Sequence, residues 1–261
     1  MTEMNASSVR ITDLTLVPHD DYQELAARVD GERIWFRLPL DLDLVPRPEA
    51  FLPLALFEAM ARGVPVEIDE SFPISAQLHN SMLDIQQILN CWNSELKIVP
   101  ILASTTDSYP SSDRVACCFS GGIDSSFSYA SNRDTITHLL LMQGFVKTQG
   151  GPDDWEENIA ARQKFADSEN KKLITVHTNA MDFLEDRDIS ILLSHGGVLC
   201  GLGAALGLKK LLIPASYTYS NLMPWGSHPM LDPLWSTEAM QIVHHGTAAS
   251  RIQKTAEVAK H

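Results

Sequence analysis

One stretch constrains this chain more than any other. The apolar run Val115-Ala116-Cys117-Cys118-Phe119 stops at Ser120-Gly121-Gly122, and Ile123-Asp124-Ser125-Ser126 then opens a segment of helical character. Glycines lack a Cβ, so the backbone turns tightly there and a ligand can approach the main chain. The helix start behind them offers unpaired N–H groups and the positive end of the helix dipole, which together form an anion site. Ser120, Ser125 and Ser126 add hydroxyl donors, and the expected anion is phosphate. The plainer reading, a glycine turn joining a buried strand to a helix, leaves Asp124 and three serines without a role.

From Arg114 onward strands and helices alternate. Strands are predicted over 114–119, 135–143, 172–177 and 211–215, with helices over 124–132, 154–168 and 189–208. Such alternation implies right-handed crossovers and an α/β fold, a doubly wound parallel sheet with helices on both faces. Ligands of such sheets bind beyond the carboxyl ends of the strands, near the topological switch. The tail from Ser236 reads as helix. Before Arg114 the grammar differs. A strand over 9–17 precedes a hairpin, 25–29 with 33–38, around Asp30-Gly31-Glu32. A helix over 50–61 ended by Gly63, a strand over 64–68, a helix over 80–93 and a strand over 96–102 follow. Residues 1–108 are therefore expected to form a small α+β domain with its own core, and 109–261 a second domain. The Ser/Thr/Pro-rich stretch Ser104–Asp113 is the expected linker.

Ser120-Gly121-Gly122-Ile123-Asp124-Ser125 resembles the PP-loop of the ATP pyrophosphatases, enzymes that split ATP into AMP and pyrophosphate. No Lys follows the glycines, so the loop is not that of kinases and GTPases. The resemblance implies a Rossmann-like PP-loop domain and ATP with Mg²⁺ as cofactors. It also implies roles for Ser120, Gly121, Gly122, Ile123, Asp124, Ser125 and Ser126 around the phosphates, with Asp124 as the metal-holding acid. Leu141, Met142 and Gln143, after the second strand, are the implied adenine contacts, with loop packing the equal alternative. The nearest branches are the 7-cyano-7-deazaguanine synthases and the synthetase domain of asparagine synthetases.

Other residues expected near this loop come from later strand ends. His177 follows the third strand, where loop packing is the equal alternative. The glycine-rich helix carries His195 and Gly197; its glycines indicate close backbone packing, against the sheet or a nucleotide. His195 reads either as a satisfied core histidine or as a cofactor contact. The run Ser216–Ser236 holds three prolines and two tryptophans with little periodicity, which suits a lid or specificity element, with a proline-stiffened surface loop the alternative. Within it Tyr217, Tyr219, Trp225, Ser227, His228 and Asp232 are the candidate substrate contacts, with His228 also a candidate catalytic group and Gly226 a candidate hinge. Its His228-Pro229 and Asp232 resemble part of the substrate segment of the deazaguanine synthases, whose Arg is missing here. Lys254 or Arg251 would suit the basic residue that related enzymes direct at pyrophosphate; a solvated helix face is the alternative.

Composition narrows the function classes. A net charge of −13 argues against a broad nucleic-acid surface. Met1–Arg10 lacks the apolar core of a signal peptide, and no apolar run is long enough to span a bilayer. Cys91, Cys117, Cys118 and Cys200 form no C-x-x-C pair and suggest neither zinc nor disulfides. Cys117 and Cys118 read as small buried hydrophobes, with a sulfur-carrier role the alternative. A cytoplasmic location follows. The expected activity is an AMP-forming ligase: a substrate oxygen attacks the α-phosphorus and an amine or ammonia displaces AMP. The expected partners are a small-molecule acceptor and, as an open option, a second copy in a homodimer. Base modification in RNA or a deazapurine is the runner-up. A non-catalytic ATP or AMP sensor is the reading from another class.

Overall fold

The computed structural model describes residues 8–109, 112–144 and 153–260. It opens with an antiparallel meander of β1 (Val9–Pro18), β2 (Gln23–Val29) and β3 (Glu32–Leu38). The β2–β3 turn takes the left-handed conformation at Asp30 (φ 50°) and Gly31 (φ 84°), which matches the twist of the flanking strands. Helix α1 (Leu52–Arg62) carries Pro53 in its first turn and ends at Gly63 in the left-handed region. Then come β4 (Val66–Ile68), β5 (Ile74–Ser75), α2 (Ala76–Trp92), β6 (Ile101–Leu102) and β7 (Thr105–Thr106). Ser75 caps α2 by accepting from the Leu78 N–H, so that helix starts before the predicted Asn80. The strand expected over 96–102 is reduced to β6, and the expected linker contributes β7, which pairs with β5.

The second half supplies β8 (Val115–Cys118), α3 (Ile123–Asn132), β9 (His138–Met142), α4 (Asp153–Ser168) and β10 (Lys172–Thr178). It continues through α5 (Ala180–Glu185), α6 (Ile191–Ala205), β11 (Lys210–Pro214), β12 (Gln241–His245) and α7 (Arg251–Val258). Strands β8 to β12 are parallel and lie in the order β12-β11-β8-β9-β10. The chain steps from β8 to β9 and β10 on one side, then returns to lay β11 and β12 on the other. The order therefore reverses between β8 and β11, and the Ser120 loop leaves β8 at that reversal. The glycines expected in the β9–α4 connection, Gly150 and Gly151, lie outside the described residues.

Two expectations are corrected. The tail is not helical from Ser236: Ile242 and Val243 belong to β12, which extends the sheet beside β11, and only α7 is helix. β-branched residues suit such a pleated position, and α7 begins later, at a capping box of Ser250 with Gln253. Nor do residues 1–108 keep a core of their own. Strand β3 pairs antiparallel with β10, placing Arg37 opposite His177, so a single ten-stranded sheet runs through both halves. Phe36, Phe51 and Leu54 share one hydrophobic cluster with Val198, Leu202, Leu211 and Ile242.

The physical reason lies in α1, which is buried from Leu52 through Met60. A helix buried on every side needs cover from more than one neighbour, and α6 provides part of it. A Cβ at Gly201 would lie 2.2 Å from the Glu49 carbonyl oxygen, and one at Gly197 would lie 3.3 Å from Pro53 Cβ. The glycines of α6 are thus explained by close helix packing. On the other face of the sheet Cys117, Phe119, Tyr129 and Leu139 form a smaller core with Phe165.

Candidate functional site

The loop after β8 is held by its own side chains. Gly121 sits at φ 77°, in the left-handed region, and Gly122 is the N-cap of α3 without a side chain to cap it. The orphan N–H groups of the first turn are therefore not covered by a capping side chain. Ser125 Oγ donates to the Gly122 carbonyl at 2.9 Å and lies 3.4 Å from Ser120 Oγ. Ser126 N–H closes the first turn onto Gly122 at 2.9 Å.

Asp124 is not a free carboxylate. Lys254 Nζ donates to its Oδ1 at 2.8 Å and also to the Ala215 carbonyl at 2.6 Å, while Arg251 reaches Oδ2 at 3.4 Å. Lys254 is 2% exposed. Its amphipathic stem packs through α7 against α3, and its head emerges at the Ser120 loop. Both basic residues singled out from the tail therefore converge on Asp124, and the solvated-face alternative fails for Lys254.

Sequence reading missed Arg162. Its guanidinium, carried by α4, donates through Nη2 to the Ser120 carbonyl at 2.5 Å. A Cβ on Gly121 would come within 2.9 Å of that nitrogen, and the left-handed φ of 77° is what favours glycine there. Arg162 Nε is buried and finds no acceptor among the described residues. An unsatisfied, charged N–H against the loop is costly unless an anion completes it. The signal available in sequence was a lone Arg on a polar helix, which does not stand out.

Next to the loop opens a cavity of about 370 Å³. Ser120, Asp124, Ser125 and Ser216 line its polar end. Leu140, Leu141, Met142 and Gly144 from β9, Ile191, Leu192, His195 and Leu199 from α6, and Ile213 from β11 line the rest, with Trp225 and Ser227. A slightly larger groove, about 420 Å³, lies elsewhere, between Tyr22, Arg37 and His177. It contains none of the loop residues, so the smaller cavity is the candidate site.

Of the expected contacts, Leu141, Met142, His195, Trp225 and Ser227 reach this cavity. Tyr217 is one step removed, edge-on to Trp225 with ring centroids 5.6 Å apart. The others are corrected. Gln143 points to His177, Oε1 to Nδ1 at 3.0 Å, and His177 lines the other groove. Gly197 packs on Trp235 and Pro53. Tyr219 is 64% exposed and not part of the wall.

His228 turns away, its ring edge-on to Trp92 at 5.0 Å and its Nδ1 accepting from the Met230 N–H at 3.1 Å. Asp232 is fully buried and structural: Ser227 Oγ donates to it at 2.8 Å, the His228 N–H at 3.0 Å and His244 Nδ1 lies at 2.7 Å. Gly226 is no hinge. Its N–H donates to the Leu192 carbonyl at 2.7 Å, and a Cβ there would lie 2.6 Å from the Leu193 carbonyl oxygen. A polar loop read from sequence offers its side chains outward, but this one folds several of them inward as its own scaffold.

Burial sets the protonation of two wall residues. It holds His195 below the usual imidazole range, more than its bond to Ile191 and the Asp232 carboxylate raise it. It pushes the Cys118 thiol up to about 12, with the Asp232 charge adding to the effect. Cys118 is therefore a thiol and not a nucleophile at neutral pH.

The donor set suits a polyphosphate: an uncapped helix start, glycines at the turn, Lys254, Arg251 and the orphan Arg162 Nε. Among the described residues no group of three or more His, Cys, Asp or Glu side chains is placed to hold a metal. A site with one carboxylate, Asp124, still fits Mg²⁺, which is bound through one or two carboxylates together with substrate phosphates. No helix among the described residues is long and apolar enough to cross a membrane. Comparison with protein-family models, with curated proteins and with solved structures finds no match to this chain.

Proposed function

We propose that the chain binds ATP with its phosphates on the Ser120–Ser126 loop and transfers AMP to an oxygen of a small acceptor, for displacement by a nitrogen nucleophile. The observation that carries this reading is position. A Ser-Gly-Gly-Ile-Asp-Ser loop leaves the central parallel strand at the reversal of strand order, beside a cavity and beneath Lys254. Resemblance of the loop to ATP pyrophosphatases points the same way.

In this reading the N-terminal amides of α3 face the β- and γ-phosphates. They neutralise charge that grows on the leaving pyrophosphate, where fixed dipoles act without reorganisation. Lys254 supplies a fixed positive charge at the same place and keeps Asp124 oriented. Arg162 braces the loop through Ser120 and has an N–H left for an anion. Mg²⁺, carried by the phosphates and Asp124, would add further charge neutralisation. The apolar wall of Leu141, Met142, Leu192 and Trp225 suits the adenine ring and a small acceptor. Trp225 covers the site against water, which an acyl-adenylate requires.

The test is product analysis with ATP, Mg²⁺ and a panel of carboxylic acids, run as exchange of labelled pyrophosphate into ATP. AMP and pyrophosphate are the expected products. ADP with orthophosphate would reject the reading. Tight ATP or AMP binding without exchange for any acid would make the protein a sensor.

A further inference from the structure

The cavity wall holds an imidazole whose two nitrogens have different fates. His195 Nδ1 lies 3.0 Å from the Ile191 carbonyl oxygen. A carbonyl only accepts, so Nδ1 carries the proton. Burial keeps the ring neutral at pH 7. Nε2 of a neutral Nδ1–H imidazole is a lone-pair acceptor, and His195 lines the cavity.

The ring is also fixed in place. Trp225 lies edge-on to it at 5.2 Å, and the Gly226 Cα leaves so little room that a Cβ would come within 2.8 Å of Nδ1. Among the described lining residues Asp124 is the only other group that could take a proton, and both its oxygens already face Lys254 and Arg251. A neutral, oriented base in the wall of the cavity that the Ser120 loop also lines has the chemistry that a nitrogen nucleophile needs.

We propose that His195 Nε2 receives the proton of the amine or ammonia that displaces AMP. This rests on the adenylating reading of the site. In the step, the nitrogen lone pair attacks the acyl carbon and the C–N bond forms. The bond from that carbon to the AMP phosphate oxygen breaks, and AMP leaves with its electron pair. The proton shed by nitrogen passes to Nε2 and from the imidazolium to solvent. The nucleophile in this step is a neutral amine or ammonia, and Cys118, held as a thiol by burial, does not compete with it. The rival role for Nε2, accepting from the adenine amino group, is an outcome of the test.

The experiment is ¹⁵N NMR of the full chain labelled at histidine, with AMP and methylamine as probes, beside His195→Gln. Before any probe, the His195 signals should show Nδ1 protonated and Nε2 bare at pH 7.5. AMP should move the Gly121 and Gly122 amides and leave Nε2 in place. Methylamine added to the AMP-loaded protein should then shift Nε2 saturably, and His195→Gln should hold AMP within about threefold of the parent. A protonated Nε2, an Nε2 signal that answers to AMP alone, or one indifferent to methylamine each overturns the assignment. Failure of AMP to move the loop amides would instead overturn the nucleotide reading beneath it.

Discussion

Lys254 Nζ lies 2.8 Å from Oδ1 of Asp124, at the end of a side chain that is 2% exposed. One ion pair therefore joins the last helix to the first turn of α3. The two residues are 130 positions apart and act as a unit, with Ala215 as the third point of attachment. Asp124 is consequently both a site residue and a structural partner of a buried cation.

Asp124→Asn should abolish ATP cleavage and also lower stability, by about 1–3 kcal/mol, because a buried ammonium loses its counter-charge. Lys254→Met should abolish cleavage as well. The double variant should regain part of the stability and none of the activity, with urea unfolding and product analysis as the two measurements. Near-parental cleavage by Lys254→Met would remove the cation from the mechanism.

Gly196→Ala should be among the most damaging small changes in the chain. Its Cβ would fall 2.0 Å from the Gly226 carbonyl oxygen, so α6 and the Trp225 loop must separate. Overpacking against backbone costs about 3 kcal/mol, readable as a shift of the urea midpoint. His228→Ala, by contrast, should reduce stability through the lost Trp92 contact and leave cleavage of ATP unchanged. Loss of turnover at full stability would return His228 to the site.

Glu49 gives the protein a pH signature. It is fully buried, its Oε1 accepts from the Ser75 N–H and from Tyr109, and its Oε2 has no partner among the described residues. Burial, more than any other cause, raises its carboxyl from 4.5 to about 7. The folded protein thus holds a proton that the unfolded chain has released. The stability linked to it is full below pH 4.5 and is lost as pH rises through about 7. Glu49→Gln should remove that decline, gaining about 3 kcal/mol at pH 8 and little at pH 4, as measured by urea unfolding at both values. A parallel decline in the variant would assign the pH dependence elsewhere.

Thiol labelling separates the cysteines. Cys91 is exposed, Cys117 and Cys200 are buried, and Cys118 is half-buried in the cavity wall; burial pushes these last three thiols up, Cys118 to about 12. At pH 7.5 one thiol, Cys91, should react promptly with a disulfide reagent in the native protein and the other three only on unfolding. Fast modification of Cys118, blocked by AMP, would revive the sulfur-carrier alternative.

Local chemistry decided what the sequence determined by itself. The Asp30-Gly31 turn, the Gly63 helix stop, the alternating strands and helices after Arg114 and the glycine turn at Ser120 all follow from dihedral preferences and periodicity within a few residues. Those signals do not depend on what packs against them. The tertiary structure decided the rest, for reasons of pairing and burial. Strand β12 forms because β11 offers an open parallel edge, which outweighed the helical pattern read in the tail. The N-terminal segment shares its core because α1, buried from Leu52 through Met60, needs α6 beside it. His228 and Asp232 turn inward because the proline-rich loop must satisfy its own backbone and carboxylate once buried. Arg162 reaches the Ser120 loop across 42 residues of chain, a contact that exists only after α4 packs on the sheet.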